Sequence, residues 1–536
     1  MGIYFNPRND GFKNTVNSRI YVDKTGLLKH MNSMIKTEDR CVALSHARRF
    51  GKSQAARMID AYYSLGSDSR ELFSKFKIAK SPDFEKHLNK YNVIHLDISS
   101  FADYYTDNLV EKITERLYKE FRCECTGNEY ESVDYSESVN IVLAEICKAS
   151  GAPFVIIIDE WDCVIRNHAD RPDLVHKYLQ FLHSLFKSEE SASFLALAYI
   201  TGILPVKKIK DESALNNFKE YTMLDSKQLT PFFGFTEKEV EKLCKKYKMN
   251  FDSVKEWYDG YLINGQHMYN PNSVYQAMVD HSLESYWKNT SAFDTINSFI
   301  NLDFEGMKQD VLTMLNHGKV KVDTNKFKND LSIINSKDDA LTALIHLGYL
   351  GYDAERRTAF IPNYEVSTAF QAAISDGGWT KIAKTISTCD ELLWATIDGE
   401  AERVAELLEL AHETYTSVLK YNDENSLSCA ITMAYFTAPA YYNVVRELPT
   451  GKGFADIAMI PRADSGNKPA MIIELKWDRT ADTAIKQIKE RRYTGSLSGY
   501  GNEILLVGIS YNKDASDSSE GIPAKKHECV IERIVP

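Results

Sequence analysis

CVALSHARRFGKSQAARMIDAYY runs from Cys41 to Tyr63, and its reading decides the architecture of the first half of the chain. An apolar run leads into a short basic loop, then Gly51-Lys52-Ser53 and a helical apolar spacing. Strand, loop and helix in that order frame a phosphate-binding loop. There, backbone N–H groups and the helix N-terminus hold phosphate oxygens. The lysine reaches the terminal phosphates and the serine hydroxyl binds Mg²⁺. The pattern G-x-x-x-x-G-K-[ST] puts its first glycine at position 46, where His46 stands. A lone G-K-S also fits an ordinary helix start with serine near the cap, so the rest of the chain has to decide.

Outward from this stretch, β-rich apolar runs recur at RCVALS (Arg40–Ser45), NVIHLDIS (Asn92–Ser99), PFVIIIDE (Pro153–Glu160) and SFLALAYITG (Ser193–Gly202). Between them lie NLVEKITERLYKEF and LVHKYLQFLHSLFKS, with helical spacing. Near-continuous apolar strands alternating with helices predict a parallel sheet covered on both faces. In FVIIIDEWD, five apolar residues end in Asp159-Glu160. A buried strand that delivers two carboxylates to its tip is costly unless a cation or polar partner waits there. In the nucleotide reading, Asp159 orients Mg²⁺ through water and Glu160 polarises the attacking water. Two readings stand for Thr201 at the tip of the last strand: a contact to that water or the γ-phosphate, and a plain strand end.

The chain has 536 residues, a formal net charge of −11, 44% hydrophobic and 26% charged residues. That length predicts two to four domains. The acidic balance argues against a general basic coat for nucleic acid but leaves room for a local groove. Nine scattered cysteines, Cys123 and Cys125 included, form no zinc pattern. Their odd count, with no signal peptide, fits a reducing cytoplasm. No apolar run is long enough for a transmembrane helix.

From about Tyr415 the pattern changes. YNDENSLSCAITMAYF reads as a helix. NVVRELPTG, GFADIAMIPR, KPAMIIELKW and EILLVGISYN read as strands, with TADTAIKQIKERRYTG as a helix before the last of them. PRADSGNKP (Pro461–Pro469) is a natural hairpin connection. A hairpin would bring Asp456 and Glu474 together, and strand alternation puts Lys476 on the face of Glu474 with Leu475 opposite. Two close carboxylates bind Mg²⁺ or Mn²⁺, the metal activates water, and the lysine orients that water or stabilises developing charge. Lys486, Lys489, Arg491 and Arg492 on the following helix suit a phosphodiester backbone. The plain alternative is a set of edge-strand charges facing solvent.

IYVDKTGLL (Ile20–Leu28), ARRFGKS and VIIIDEWD resemble the AAA-ATPase-like family of bacterial proteins that carry a C-terminal PD-(D/E)XK nuclease domain. FGFTEKEV, EWYDGYLI (Glu256–Ile263), MYNPNSV (Met268–Val274) and YWKNTS (Tyr286–Ser291) agree with it. The resemblance spans nearly the whole chain, weakest between about 300 and 410. In that family the loop looks like R-P-R-R-F-G-K-S, so the missing first glycine is normal, and here His46-Ala47 replaces Arg-Pro. The resemblance places Glu424 as an additional acid, Asp456 and Glu474 as metal ligands and Lys476 as the catalytic lysine. It also places Gln487 as the family's helix glutamine, reaching toward the site or the DNA, and Tyr493 follows in the same phrase. Phe454 stands where the family has arginine. Some related nucleases hold an iron–sulfur cluster with four cysteines; only Cys429 and Cys529 lie here, so none is expected.

Three points stay open in the sequence. Asp23 and Lys24 line the nucleotide pocket or form a surface turn. Asp97 approaches the γ-phosphate or magnesium, or caps the next helix. Arg48 and Arg49 contact phosphate or a neighbouring subunit's nucleotide, or are a solvated pair.

The expected fold is α/β: a P-loop NTPase-like core over 1–232, a helical lid over 233–300, a mostly helical connection over 301–410, and a restriction-endonuclease-like α/β/α domain over 411–536. The expected function is ATP binding and hydrolysis coupled to a Mg²⁺-dependent nuclease acting on nucleic acid, with DNA the first choice. The chain is expected in the cytoplasm, off the membrane, and compatible with a homo-oligomer. The alternative is a nucleotide-controlled switch that binds nucleic acid without cutting it.

Overall fold

Five parallel strands build the first sheet: β1 (Cys41–Ser45), β2 (Asn92–Asp97), β3 (Phe154–Asp159), β4 (Leu195–Gly202) and β5 (Lys219–Thr222), in the order β2-β3-β4-β1-β5. The β3 residues are buried throughout because the sheet is covered twice. Ile156 and Ile158 face one core, with the helices Leu109–Glu124, Val139–Ser150 and Pro172–Lys187. Val155 and Ile157 face the other, with the helix Lys52–Tyr63 that follows the basic loop. Strand β4 lies between β1 and β3. Its tip, Thr201-Gly202, therefore falls between the lysine loop and the acidic pair, at the carboxyl edge where open parallel sheets bind ligands.

This computed structural model describes residues 2–206, 215–286, 296–299, 302, 304, 306–315, 318–325, 327, 334–376, 380–415, 424–435, 437–450, 453–462, 468–491, 503–512 and 526–535. The chain divides into two compact units, 1–292 with 302–367, and 293–301 with 368–536. The segment 301–410 is thus shared between them.

The first unit continues with β6 (Phe235–Thr236), β7 (Tyr261–Ile263) and β8 (Gln266–Tyr269), a small antiparallel sheet. Around it stand helices Glu237–Tyr247, Phe251–Tyr258 and Pro271–Asp280. Thr236 and Glu239 close a capping box, and Asn250 accepts from Ser253 N–H at 2.9 Å, so each helix start is specified locally. Strands β9 (Val320–Lys321), β10 (Gly351–Asp353) and β11 (Thr358–Phe360) form a third, antiparallel sheet.

The second unit is a five-stranded sheet in chain order: β12 (Tyr442–Thr450), β13 (Gly453–Pro461), β14 (Ala470–Trp477), β15 (Ile504–Tyr511) and β16 (His527–Ile534). Only β14 and β15 pair in parallel, and helix Ala481–Glu490 makes the crossover that this requires. Gly508 lets that helix sit on β15; a Cβ there would stand 2.4 Å from the Ala481 carbonyl oxygen. Ile473 and Leu475 pack on one face against Leu392, Leu393, Leu407 and Ile431 from helices Thr380–Asp398, Ala401–Tyr415 and Glu424–Ala434. Ile472 and Leu506 pack on the other against Ile485 and Ile488. The layers are α/β/α. Among the described residues no helix is long and apolar enough to cross a membrane.

Candidate active sites

A cavity of about 660 Å³ opens beyond the end of β1, with Gly51, Lys52, Ser53 and Glu160 in its wall. Gly51 caps the helix with φ +87°, a conformation that glycine takes without strain. Lys52 is buried, and its Nζ donates to the His46 and Ala47 carbonyls, both at 2.9 Å. Burial pulls its pKa down, while Glu160, Asp159 and Asp162 act against that. Asp159 ends β3, buried, and accepts from the Thr201 hydroxyl and, at 3.1 Å, from Glu160 N–H. Thr201 is therefore bonded to the acidic pair. Burial raises the pKa of Glu160, and Lys52 opposes this.

His46 explains the loop without its first glycine. The ring is buried, its Nε2 meets Ser226 Oγ at 2.5 Å, and it packs tilted against Phe233 at 5.4 Å. Burial drives its pKa down to about 3, so the ring is neutral and the loop is anchored by packing.

Asp23 Oδ1 accepts from Thr25 N–H (2.9 Å) and its hydroxyl (2.6 Å), and Oδ2 from Lys77 N–H, which makes Asp23 a turn anchor. Lys24 stands in the cavity wall and donates to the Pro231 carbonyl (2.7 Å) and Glu239 Oε2 (2.6 Å), tying the core to the small helical region. Asp97 accepts from Ser99 N–H at 3.0 Å and its hydroxyl at 2.6 Å, closing a turn at the start of the next short helix. Arg48 and Arg49 are exposed, and Arg49 donates to the Tyr286 carbonyl at 3.1 Å.

In the second unit, β13 and β14 pair through Ile457↔Ile473, and the ladder stops there. At the next step Asp456 Oδ2 accepts from Leu475 N–H at 2.7 Å, so a carboxylate stands where a ladder bond would be. On its other side β12 skips a pair opposite Asp456, where Glu447 takes φ +51°. The strand is thus released from both neighbours at the acidic residue. Glu474 is buried, and its Oε1 accepts from Lys476 Nζ (3.1 Å) and the Gln487 amide, while Oε2 has no partner. Burial first, and Asp456 second, raise the Glu474 pKa to about 7. Lys476 is buried on the same face, and Leu475 joins the opposite core, as strand alternation predicts.

Residues 12–210 match the family described as predicted AAA-ATPase, and residues 423–518 match the PD-(D/E)XK nuclease superfamily. The chain joins an AAA-ATPase-like domain to a PD-(D/E)XK nuclease superfamily domain. An uncharacterized protein from the 5′ region of vnfD of Azotobacter chroococcum mcd 1 is 21% identical, over 92% of this chain and 93% of that one. Among solved structures, the replication initiator DnaA bound to AMPPCP and single-stranded DNA is 10% identical with a TM-score of 0.28, covering 69% of this chain and 93% of that one. Cdc6p from Pyrobaculum aerophilum is 9% identical with a TM-score of 0.26, covering 68% and 97%. Both likenesses are too distant to bear on either site.

Within the nuclease superfamily domain the remaining expected residues fall unevenly. Gln487 reaches Glu474 from its helix. Lys486 and Arg491 are exposed, and Arg491 lies close enough to Glu474 to oppose its raised pKa. Lys489 is bound to Glu532 at 2.5 Å, so the helix presents fewer free cations than its sequence suggests. Arg492 and Tyr493 lie outside the described residues, as does the side chain of Glu424, which opens helix Glu424–Ala434. Phe454 is exposed beside the site. Among the described residues no group of three His, Cys, Asp or Glu is placed to hold a metal. The fit for a dication therefore rests on Asp456 and on the orphaned oxygen of Glu474, an oxygen donor set suited to a hard ion.

In the AAA-ATPase-like domain two residues escaped the sequence reading. Arg166 Nη2 donates to Glu160 Oε2 at 2.7 Å, and its Nε to Asp162 Oδ2 at 2.9 Å. The spacing of Asp162 and Arg166, four residues apart on a short helix start, was the available signal.

Proposed function

We propose that this chain binds and hydrolyses ATP in its first unit and that the nucleotide state controls a Mg²⁺-dependent phosphodiesterase in the second, acting on DNA. The observation that carries the reading is the buried Glu474, one oxygen unpartnered, set against Asp456 and beside Lys476. A buried carboxylate with no partner is costly unless a cation completes it. Asp456 and Glu474 would hold the dication, with Mn²⁺ an alternative to Mg²⁺. A bound dication supplies a Lewis acid and lowers the pKa of its water. Lys476, fixed by Glu474 and the Leu475 carbonyl (2.9 Å), places a positive charge where negative charge develops on the phosphate. Gln487 holds the other flank of Glu474, while Lys486 and Arg491 face the substrate backbone.

In the first unit Lys52 would exchange two loop carbonyls for the terminal phosphates of ATP. Ser53 and Asp159 would hold Mg²⁺, and Glu160 would take the proton of the attacking water.

The test is cleavage of linear and circular DNA in Mg²⁺ or Mn²⁺, with and without ATP, by wild type beside Glu474→Ala. Cleavage confined to wild type supports the nuclease, and its dependence on ATP supports control by the first unit. No cleavage by folded wild type with metal present would replace this reading with nucleotide-controlled nucleic-acid binding.

A further inference from the structure

Glu160 is held in an unusual way. Its backbone is left-handed, φ +52°, which a non-glycine residue adopts only where surroundings dictate it. The neighbouring bonds do so: Glu160 N–H to Asp159, Trp161 N–H to the Thr201 carbonyl (2.9 Å) and Cys163 N–H to the Glu160 carbonyl (3.0 Å). The side chain is then gripped at Oε2 by Arg166, itself only 8% exposed. Arg166 is anchored in turn by Asp162, a fully buried carboxylate whose Oδ2 also accepts from Ile203 N–H (3.0 Å) and Leu204 N–H (2.8 Å). Those two amides directly follow β4. Gly202, the last residue of β4, admits this packing, because a Cβ there would lie 2.7 Å from both Asp162 Oδ1 and Trp161 Nε1.

We propose that Arg166 is a positioning residue for Glu160, clasping that carboxylate to the end of β4 through Asp162. The inference rests on the ATPase reading and deepens it. The guanidinium is a rigid fork, and its two arms fix one carboxylate relative to the other. With Oε2 held, that end of the Glu160 carboxylate is fixed, and Oε1 is the atom left to accept a proton from water. The same clasp makes Glu160 and Thr201 move as one piece.

The simpler role for Arg166 would be to neutralise the buried Asp162. Lysine keeps that charge but cannot span both carboxylates as a fork. The experiment is steady-state ATP hydrolysis by wild type, Arg166→Lys, Arg166→Gln and Glu160→Gln, with ATP affinity measured separately for each. Positioning predicts that Arg166→Lys binds ATP with unchanged affinity while kcat falls roughly 10- to 100-fold, the scale of a small misplacement of a reacting group. Arg166→Gln should lose at least as much, and Arg166→Lys carries the test should the glutamine variant fail to fold. Wild-type kcat in Arg166→Lys, or a loss confined to KM, would overturn the proposal. ATP bound but not hydrolysed by wild type would overturn the ATPase reading and this inference together, whereas normal wild-type turnover with an indifferent Arg166→Lys overturns the inference alone.

Discussion

Lys52 and Lys476 are both buried lysines beside carboxylates, and they are held differently. Lys52 Nζ rests on two backbone carbonyls. The acids around it have partners of their own: Arg166 for Glu160 and Asp162, the Thr201 hydroxyl for Asp159. Lys476 bonds Glu474 directly, and one Glu474 oxygen is left over. The first site is compensated from within and can keep its shape without ligand. The second leaves a buried carboxylate oxygen open, so a cation has a place in its ionised form. That contrast predicts where each site is fragile.

The largest effect is expected at the site with the open oxygen. Asp456→Asn keeps an oxygen for Leu475 N–H, so the fold should persist, yet it removes a metal-binding charge. Nuclease activity should fall by at least roughly 100-fold, the scale of losing electrostatic stabilisation at a reacting centre, with ATP affinity unchanged. Retained cleavage would break the comparison, since the site would then work without its second acid.

Next comes a buried acid of the first unit. Glu365 accepts Tyr286 N–H at 2.8 Å, and burial raises its pKa to about 7 from 4.5. The folded state therefore holds a proton that the unfolded chain releases between those values. Stability should fall as pH rises from about 4.5 through 7, by up to roughly 3 kcal/mol. Denaturant titrations across that range should show the slope in wild type and a shallower one in Glu365→Gln, with Glu474 supplying part of the remainder; an unchanged slope would assign it elsewhere.

Lys52→Ala should weaken ATP binding by about 1.5–3 kcal/mol, the worth of charged hydrogen bonds, with metal binding in the second unit untouched. Calorimetry on the full chain separates the two. A smaller effect follows from the Glu474 proton: since its pKa is raised to about 7, metal must displace that proton below neutrality. Mn²⁺ affinity should drop about tenfold per pH unit beneath that point, and a flat profile would mean that Glu474 is ionised without metal.

Much of this was legible in the residues. PFVIIIDE became β3 because a run apolar at every position needs cover on both faces, and KPAMIIELKW became β14 with Glu474 and Lys476 on one face. Other features were not. Strand β5, Lys219–Thr222, is short and polar at its start, and only pairing with β1 makes it a strand. The reason for His46 lies in Ser226 and Phe233, about 180 residues away. The clasp of Arg166 needed the amides after β4 to be seen. Local pattern specifies elements and their faces, whereas the partners that satisfy buried charge come from chain order in the sheet.

The two acids of the second site stand on backbones of unequal stiffness. Glu474 belongs to β14, paired with β15 without a break from Ala470↔Ile504 to Trp477↔Tyr511. Asp456 sits where β13 has let go of both neighbours. One jaw is thus fixed and the other compliant. Adjustment to ions of different radius should be borne by Asp456, and amide exchange should be slow along β14 and faster at Asp456, the one β13 position unpaired on both sides. A metal that draws Asp456 inward would stiffen that strand, so ion binding would be felt along β13 before it reached β14.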